Sequence, residues 1–145
     1  MDAIILPVAL ATAAACALIN LWLAIRVGQV RRAERISIGD GGNERLIARM
    51  RAQLNFAENA PFVLILLGLV ELAVGTQWWL WGIAGLFVVA RLLHPIGMDG
   101  TWKLGRGIGT ALTFLILIGL AGVAATIPYF SYGVVETMEV VETAG

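Results

Sequence analysis

Apolar residues fill this chain in long unbroken stretches, and the polar residues gather between them. Four stretches, residues 3–27, 56–74, 78–93 and 107–129, approach the roughly 20 residues an α-helix needs to cross a hydrocarbon core. They consume most of the chain and leave no room for a soluble domain. The pattern predicts an all-α membrane protein with helices over about residues 3–33, 44–75, 78–94 and 106–129. These would fold as one up-down four-helix transmembrane domain over residues 1–132, followed by a short acidic tail at 133–145.

Local signals refine the pattern. Residues 37–42 form a glycine-rich breaker cluster, and Asn43 follows as the expected N-cap of the second helix. That helix would run for roughly 45 Å, well beyond a ~30 Å hydrocarbon core, so its first turns should project into water or line a polar cleft. Pro61 sits inside it and should kink it by removing a backbone bond. Glu71, near its far end, is expected to reach the outer interface. The first helix is rich in alanine, and the fourth carries Gly105 and Gly109 in a G-x-x-x-G spacing; both favour close helix contact in lipid. Trp78, Trp79 and Trp81 would form an aromatic belt with Tyr129, Phe130 and Tyr132 at one membrane surface.

Composition agrees with the pattern. Mean hydropathy is +0.86 and only 14% of residues are charged, which places the chain among membrane proteins. The net charge is zero but unevenly spread. Arg26, Arg31, Arg32, Arg35, Arg45, Arg49 and Arg51 lie between or near the first two segments, and Arg91, Lys103 and Arg106 flank the last connection. The tail carries Glu136, Glu139 and Glu142. The positive-inside rule puts both arginine-bearing connections in the cytoplasm and both termini outside. The basic residues read as topology, with no sign of a nucleic-acid partner. The chain begins Met1-Asp2 without a basic region, so its first apolar run reads as a span and not a cleaved signal. Cys16 is the single cysteine, which excludes an internal disulfide and suits a packing residue.

One polar constellation stands apart. Arg51, Asn55 and Glu58 fall at i, i+4 and i+7 and share one face of the second helix. In an up-down bundle they meet Gln53, Arg31 and Arg32 from the end of the first helix, Arg91 and His94 from the end of the third, and Arg106 from the start of the fourth. That membrane face suits an anionic, water-soluble ligand meeting a lipid-soluble one, since arginines hold carboxylates through paired hydrogen bonds. Structural alternatives stand beside each assignment. Arg31, Arg32 and Arg106 also serve topology, Arg51 and Glu58 also suit an ion pair across two turns, and His94 before Pro95 also suits a helix C-cap or an interface residue. With one histidine and one cysteine, no metal site is expected. No G-x-S-x-G, P-loop or dinucleotide fingerprint is present.

The run Arg51-Ala-Gln-Leu-Asn55-Phe-Ala-Glu58-Asn-Ala-Pro61 resembles the second-helix signature R-A-x-x-N-x-x-E, followed by proline, of the membrane-associated proteins in eicosanoid and glutathione metabolism. The basic run from Gln29 to Arg35 is similar to the first-helix end of the cysteinyl-leukotriene synthases in that superfamily. The run from Ala90 to Gly97 is similar to the end of its third helix, and Arg106 falls near its fourth-helix arginine. The resemblance covers roughly residues 17–126 and is nearest in character to small bacterial members. It implies a homotrimer in the bacterial inner membrane, with glutathione as co-substrate in a cleft between subunits. Arg51, Asn55 and Glu58 would hold the peptide, with Gln53 assisting and Arg91 and His94 contributing. Arg106 would stabilise the thiolate. Arg32 would add a second catalytic cation from the neighbouring chain, with Arg31 beside it for binding. The implied activity is a transferase or peroxidase acting on a hydrophobic small molecule, with lipids as the other partners.

Some positions depart from the pattern. Met98, Gly107 and Thr110 stand where relatives often have tyrosine, serine and tyrosine, and Asn59 replaces another tyrosine. The binding half of the implied site is matched better than the catalytic half. A non-catalytic binding or assembly subunit is therefore the main competing expectation. A small proton-coupled transporter using Glu58 is a weaker one, because Glu58 lies among arginines near one face and not at the midplane.

Overall fold

The computed structural model describes residues 6–143, with side chains as far as residue 130. The expectations for residues 1–5, and for the side chains of Tyr132, Glu136, Glu139 and Glu142 in the acidic tail, lie outside the described residues. Four helices make up the fold: α1 (Pro7–Glu34), α2 (Glu44–Val74), α3 (Trp78–Met98) and α4 (Lys103–Thr143). All of α1, α2 and α3, and Lys103–Phe130 of α4, are long and apolar enough to cross a membrane.

The helix ends follow from local chemistry. Pro7 occupies the first turn of α1, where its missing N–H is not needed. The helix stops at Arg35, which adopts a left-handed conformation (φ 56°), and the Ile36 N–H turns back to the Arg31 carbonyl at 2.9 Å. Asn43 caps α2 as expected, its Oδ1 accepting the Leu46 N–H at 3.0 Å. Only three residues, 75–77, join α2 to α3, and Gly75 takes the positive φ that ends α2. The helix of α2 continues through Pro61 without interruption.

Short connections force consecutive helices to run antiparallel, and contacts at both ends agree. At one end Glu71 of α2 meets the start of α1. At the other, Arg26 of α1 and Arg49 of α2 meet Asp99 just beyond α3. Helix α1 packs on α2 and α3, and α4 packs on α3 and α2, while α1 and α4 do not pack on each other among the described residues. Leu23, Phe56, Val63, Leu67, Leu80, Phe87 and Leu120 fill the core. Leu18, Phe62, Leu69 and Ile118 face outward, as a lipid-facing surface requires. Trp78, Tyr129 and Phe130 are largely exposed at the end away from the arginine-rich connections.

Helices α3 and α4 approach until their backbones touch. A Cβ at Gly105 would lie 2.8 Å from the Leu93 carbonyl, and one at Gly109 would lie 2.6 Å from the Ala90 carbonyl. A Cβ at Gly97 would strike the Arg106 backbone. The G-x-x-x-G spacing thus packs against α3, and Gly97 answers it from the other side.

Three expectations need correction. Helix α3 does not end at His94 but continues through Pro95 to Met98. Proline removes one donor, yet its carbonyl still accepts the Asp99 N–H at 3.1 Å, and the Gly97 contact seats the extra turn. Helix α4 begins at Lys103 and is continuous to Thr143, well past the expected end near residue 129. Glu71 does not reach the interface. It is 1% exposed, and its carboxylate accepts the Val8 N–H at 3.1 Å and the Ala9 N–H at 2.8 Å. The Thr76 hydroxyl donates to the same carboxylate at 2.9 Å. A side chain of α2 therefore serves as the missing cap of α1, whose own N-cap residue Leu6 has no capping oxygen.

This capping role predicts that Glu71→Ala destabilises the bundle by about 2–3 kcal/mol, because one buried and one part-buried N–H group are left without a charged acceptor. Unfolding in detergent checks it; stability equal to wild type would contradict the role.

Candidate functional site

The i, i+4, i+7 spacing on α2 places Arg51, Asn55 and Glu58 on the side facing the end of α3 and the start of α4. Together with Leu54, His94, Met98 and Arg106 they line a cleft of about 270 Å³. Of the expected site residues, Arg51, Asn55, Glu58, His94 and Arg106 therefore come together within one chain. Gln53 lies beside them, in an adjoining hollow that also borders Arg51 and Leu54. Arg31 and Arg32 do not line the cleft; they border a separate hollow with Arg35 at the end of α1.

Arg91 is placed differently from the other expected residues. It is 2% exposed and does not line the cleft. Its Nη1 donates to Asn55 Oδ1 and its Nη2 to the Gly109 carbonyl, both at 3.0 Å, and its guanidinium lies 5.9 Å from the Phe87 ring. This one side chain ties α3 to α2 and α4. Gly109 makes the tie possible, since its bare backbone lets α4 come close enough to offer the carbonyl. The acceptors are neutral and no carboxylate pairs with Arg91, so the charge behind the cleft is uncompensated within the described residues.

The cleft groups themselves are uncommitted. Among the described residues the ion pairs are Arg26–Asp99 and Arg49–Asp99, so the alternative Arg51–Glu58 pair does not form. The side chains of Arg51, Glu58, His94 and Arg106 make no hydrogen bond among the described residues. Two guanidiniums, one carboxylate and one imidazole thus face the same space with their bonding capacity open. Such a set suits a ligand carrying more negative than positive charge. His94 is not a C-cap: it sits inside α3, buried, with a side on the cleft. Arg31 is occupied locally, its Nη1 donating to the Gly39 carbonyl at 2.8 Å and its Nη2 contacting Met50 Sδ at 3.5 Å.

Asp99 is a supporting residue that no sequence motif marks. Arg26 and Arg49 converge on it, Arg49 also donates to the Arg26 carbonyl at 2.8 Å, and the Arg26 guanidinium stacks 4.6 Å from the Trp22 ring. The cluster pins α1 and α2 to the end of α3, next to cleft residue Met98. One signal could have found it: Asp99 is the sole acidic residue between Arg91 and Arg106. Among the described residues no group of three histidine, cysteine, aspartate or glutamate side chains could hold a metal ion.

The Arg91 tie has a measurable signature. Asn55→Leu removes an acceptor and leaves a buried guanidinium N–H unpaired, which should cost about 2–3 kcal/mol. Adding Arg91→Met removes the charge and should recover part of that loss, because an apolar replacement of a buried ionic group is often tolerated. Unfolding of the single and double variants checks this; a double variant weaker than Asn55→Leu alone would contradict the tie.

No curated protein matches the chain. The sequence pattern of the MAPEG family, however, matches residues 9–126, which span every cleft residue and most of the apolar part of each of the four helices. The chain, an integral membrane protein built as a four-helix bundle, belongs to the MAPEG family.

Proposed function

We propose that this protein is a glutathione-dependent membrane transferase or peroxidase that acts on lipophilic electrophiles or hydroperoxides. The observation that carries the reading is the open cleft, in which Arg51, Glu58, His94 and Arg106 meet without internal partners. Glutathione carries two carboxylates and one ammonium group. Arg51 would pair with a carboxylate, Glu58 with the ammonium group, and the amide of Asn55 with the peptide, while Arg91 fixes Asn55 from behind. Membership of the MAPEG family, associated with glutathione and eicosanoid chemistry, supports the assignment.

Arg106 is the group for the chemistry. It stands in the first turn of α4, where the helix dipole adds to its own positive charge. An adjacent guanidinium lowers the pKa of a thiol, which is otherwise mostly protonated at neutral pH. The thiolate sulfur then forms a bond to the electrophilic carbon, and the leaving group departs with the bonding electrons. The cleft opens at the charged end of the membrane-spanning helices, so a soluble thiol and a lipid-dissolved substrate can meet there. In this reading the arginine-bearing connections face the cytoplasm, both termini lie outside, and the membrane is a bacterial inner membrane. The assembly is a homotrimer, and a neighbour brings Arg31 and Arg32 to the cleft from its α1.

A second reading, a binding or assembly subunit without turnover, is favoured by one observation. Met98 lines the cleft where relatives often offer a tyrosine hydroxyl. The two readings separate at Arg106. With a model electrophile and glutathione, Arg106→Ala should lower turnover about 100-fold or more while thermal stability stays unchanged. Turnover equal to wild type would remove the thiolate role from Arg106, and a wild type inactive across electrophile and peroxide panels would favour the second reading.

A further inference from the structure

At its Arg51 end the cleft meets a second hollow. Arg51 and Leu54 line both spaces, and this one, of about 500 Å³, is also bordered by Met50 and Gln53 of α2. The connection between α1 and α2 contributes Asp40 to its lining. Asp40 is the acidic residue of this hollow and Arg51 the basic one.

The Asp40 carboxylate is set in place by its own loop. Its Oδ1 accepts the Gly42 N–H at 2.9 Å, and its backbone carbonyl accepts the Asn43 N–H at 3.0 Å. One residue earlier, the Gly39 carbonyl accepts the Arg31 Nη1 donor at 2.8 Å. Gly39, Gly41 and Gly42 supply the positive φ angles that this tight path needs. Asp40 nevertheless pairs with no cation, because both ion pairs among the described residues are made by Asp99. Two opposite charges thus border one hollow without meeting.

The spacing of Arg51 and Glu58 decides which end of the ligand lies here. They are seven residues, or about 10 Å, apart along α2. That is about the reach of an extended tripeptide. The ammonium group of glutathione shares a carbon with one of its two carboxylates, so that pair is too close together to span the distance. With the ammonium group at Glu58, Arg51 takes the other carboxylate, at the glycine end. That end of the ligand then lies at the junction with the hollow that Asp40 lines. A fixed carboxylate there tolerates one negative charge, which Arg51 neutralises, and repels a second.

We infer that Asp40 is a specificity-determining residue, which selects against thiol peptides carrying more than one negative charge at the end held by Arg51. This rests on the glutathione reading of the cleft, and adds to it a residue and a charge limit. The loop itself does not need the charge, since an asparagine side-chain oxygen accepts the same Gly42 N–H. Asp40→Asn therefore keeps the turn and removes only the charge. Asp40→Ser, whose hydroxyl oxygen also accepts in such turns, is a second neutral variant.

The test compares two ligands by calorimetry on the full chain in detergent: glutathione, and its analogue with aspartate in place of glycine. The analogue adds one carboxylate beside the one that Arg51 would hold. Wild type should bind glutathione more tightly than the analogue. Both neutral variants should narrow that ratio about twofold to fivefold at low salt, and less at high salt, as befits an exposed charge. A ratio unchanged in the variants, whether both affinities stay as they were or shift by the same factor, overturns this inference and leaves the proposed function standing. Binding of neither ligand by stable wild type overturns the proposed function and this inference with it.

Discussion

A buried guanidinium without a carboxylate sets the terms for this bundle. Taking a charge out of water costs several kcal/mol even after relaxation, and it is tolerated only when its donors find good acceptors. Arg91 finds them for its two terminal nitrogens in Asn55 of α2 and the Gly109 carbonyl of α4, while its Nε stays buried without a hydrogen-bond partner among the described residues. That requirement fixes the crossing of three helices at once. It demands glycine at position 109, where any Cβ would strike the Ala90 carbonyl and His94. It also turns Asn55 towards the junction of α2, α3 and α4 and so sets the wall of the cleft. Because the acceptors are neutral, the positive charge persists behind the cleft and adds to that of Arg51 and Arg106. The packing constraint and the positive charge on which the proposed anionic ligand relies thus have the same source.

The two ends of the bundle are held by different chemistry. At the end away from the arginines, Glu71 caps α1 from α2, so a helix whose sequence offers no N-cap is stabilised through a tertiary contact. At the charged end, Asp99 gathers Arg26 and Arg49. Between these fixed ends an uncharged groove runs between α1 and α2, bordered by small residues such as Ala13, Ala17, Ala57 and Ala60. The molecule therefore offers a charged cleft and, apart from it, an uncharged groove between α1 and α2.

The helices are legible in the sequence because apolar length alone decides a span, and the breaker cluster with Asn43 marks where α2 begins. The cleft residues on α2 are legible because helical periodicity stacks Arg51, Asn55 and Glu58. Periodicity does not say which way an arginine turns once helices pack. Arg91 reads as one of several arginines at a membrane face, and only the approach of Gly109 makes it an internal tie. Glu71 escapes a sequence reading for the same reason, since its partners are backbone N–H groups more than 60 residues away. Pro95 suggests a helix end, but one missing hydrogen bond is outweighed by the close contact of Gly97 with α4.

The central claim is that the open cleft holds glutathione through Arg51 and its neighbours. Calorimetric titration of glutathione into detergent-purified protein, wild type beside Arg51→Ala, tests it most directly. Wild type should show saturable binding, and a folded Arg51→Ala variant should show none. Equal binding by the two proteins, or none by stable wild type, would contradict it.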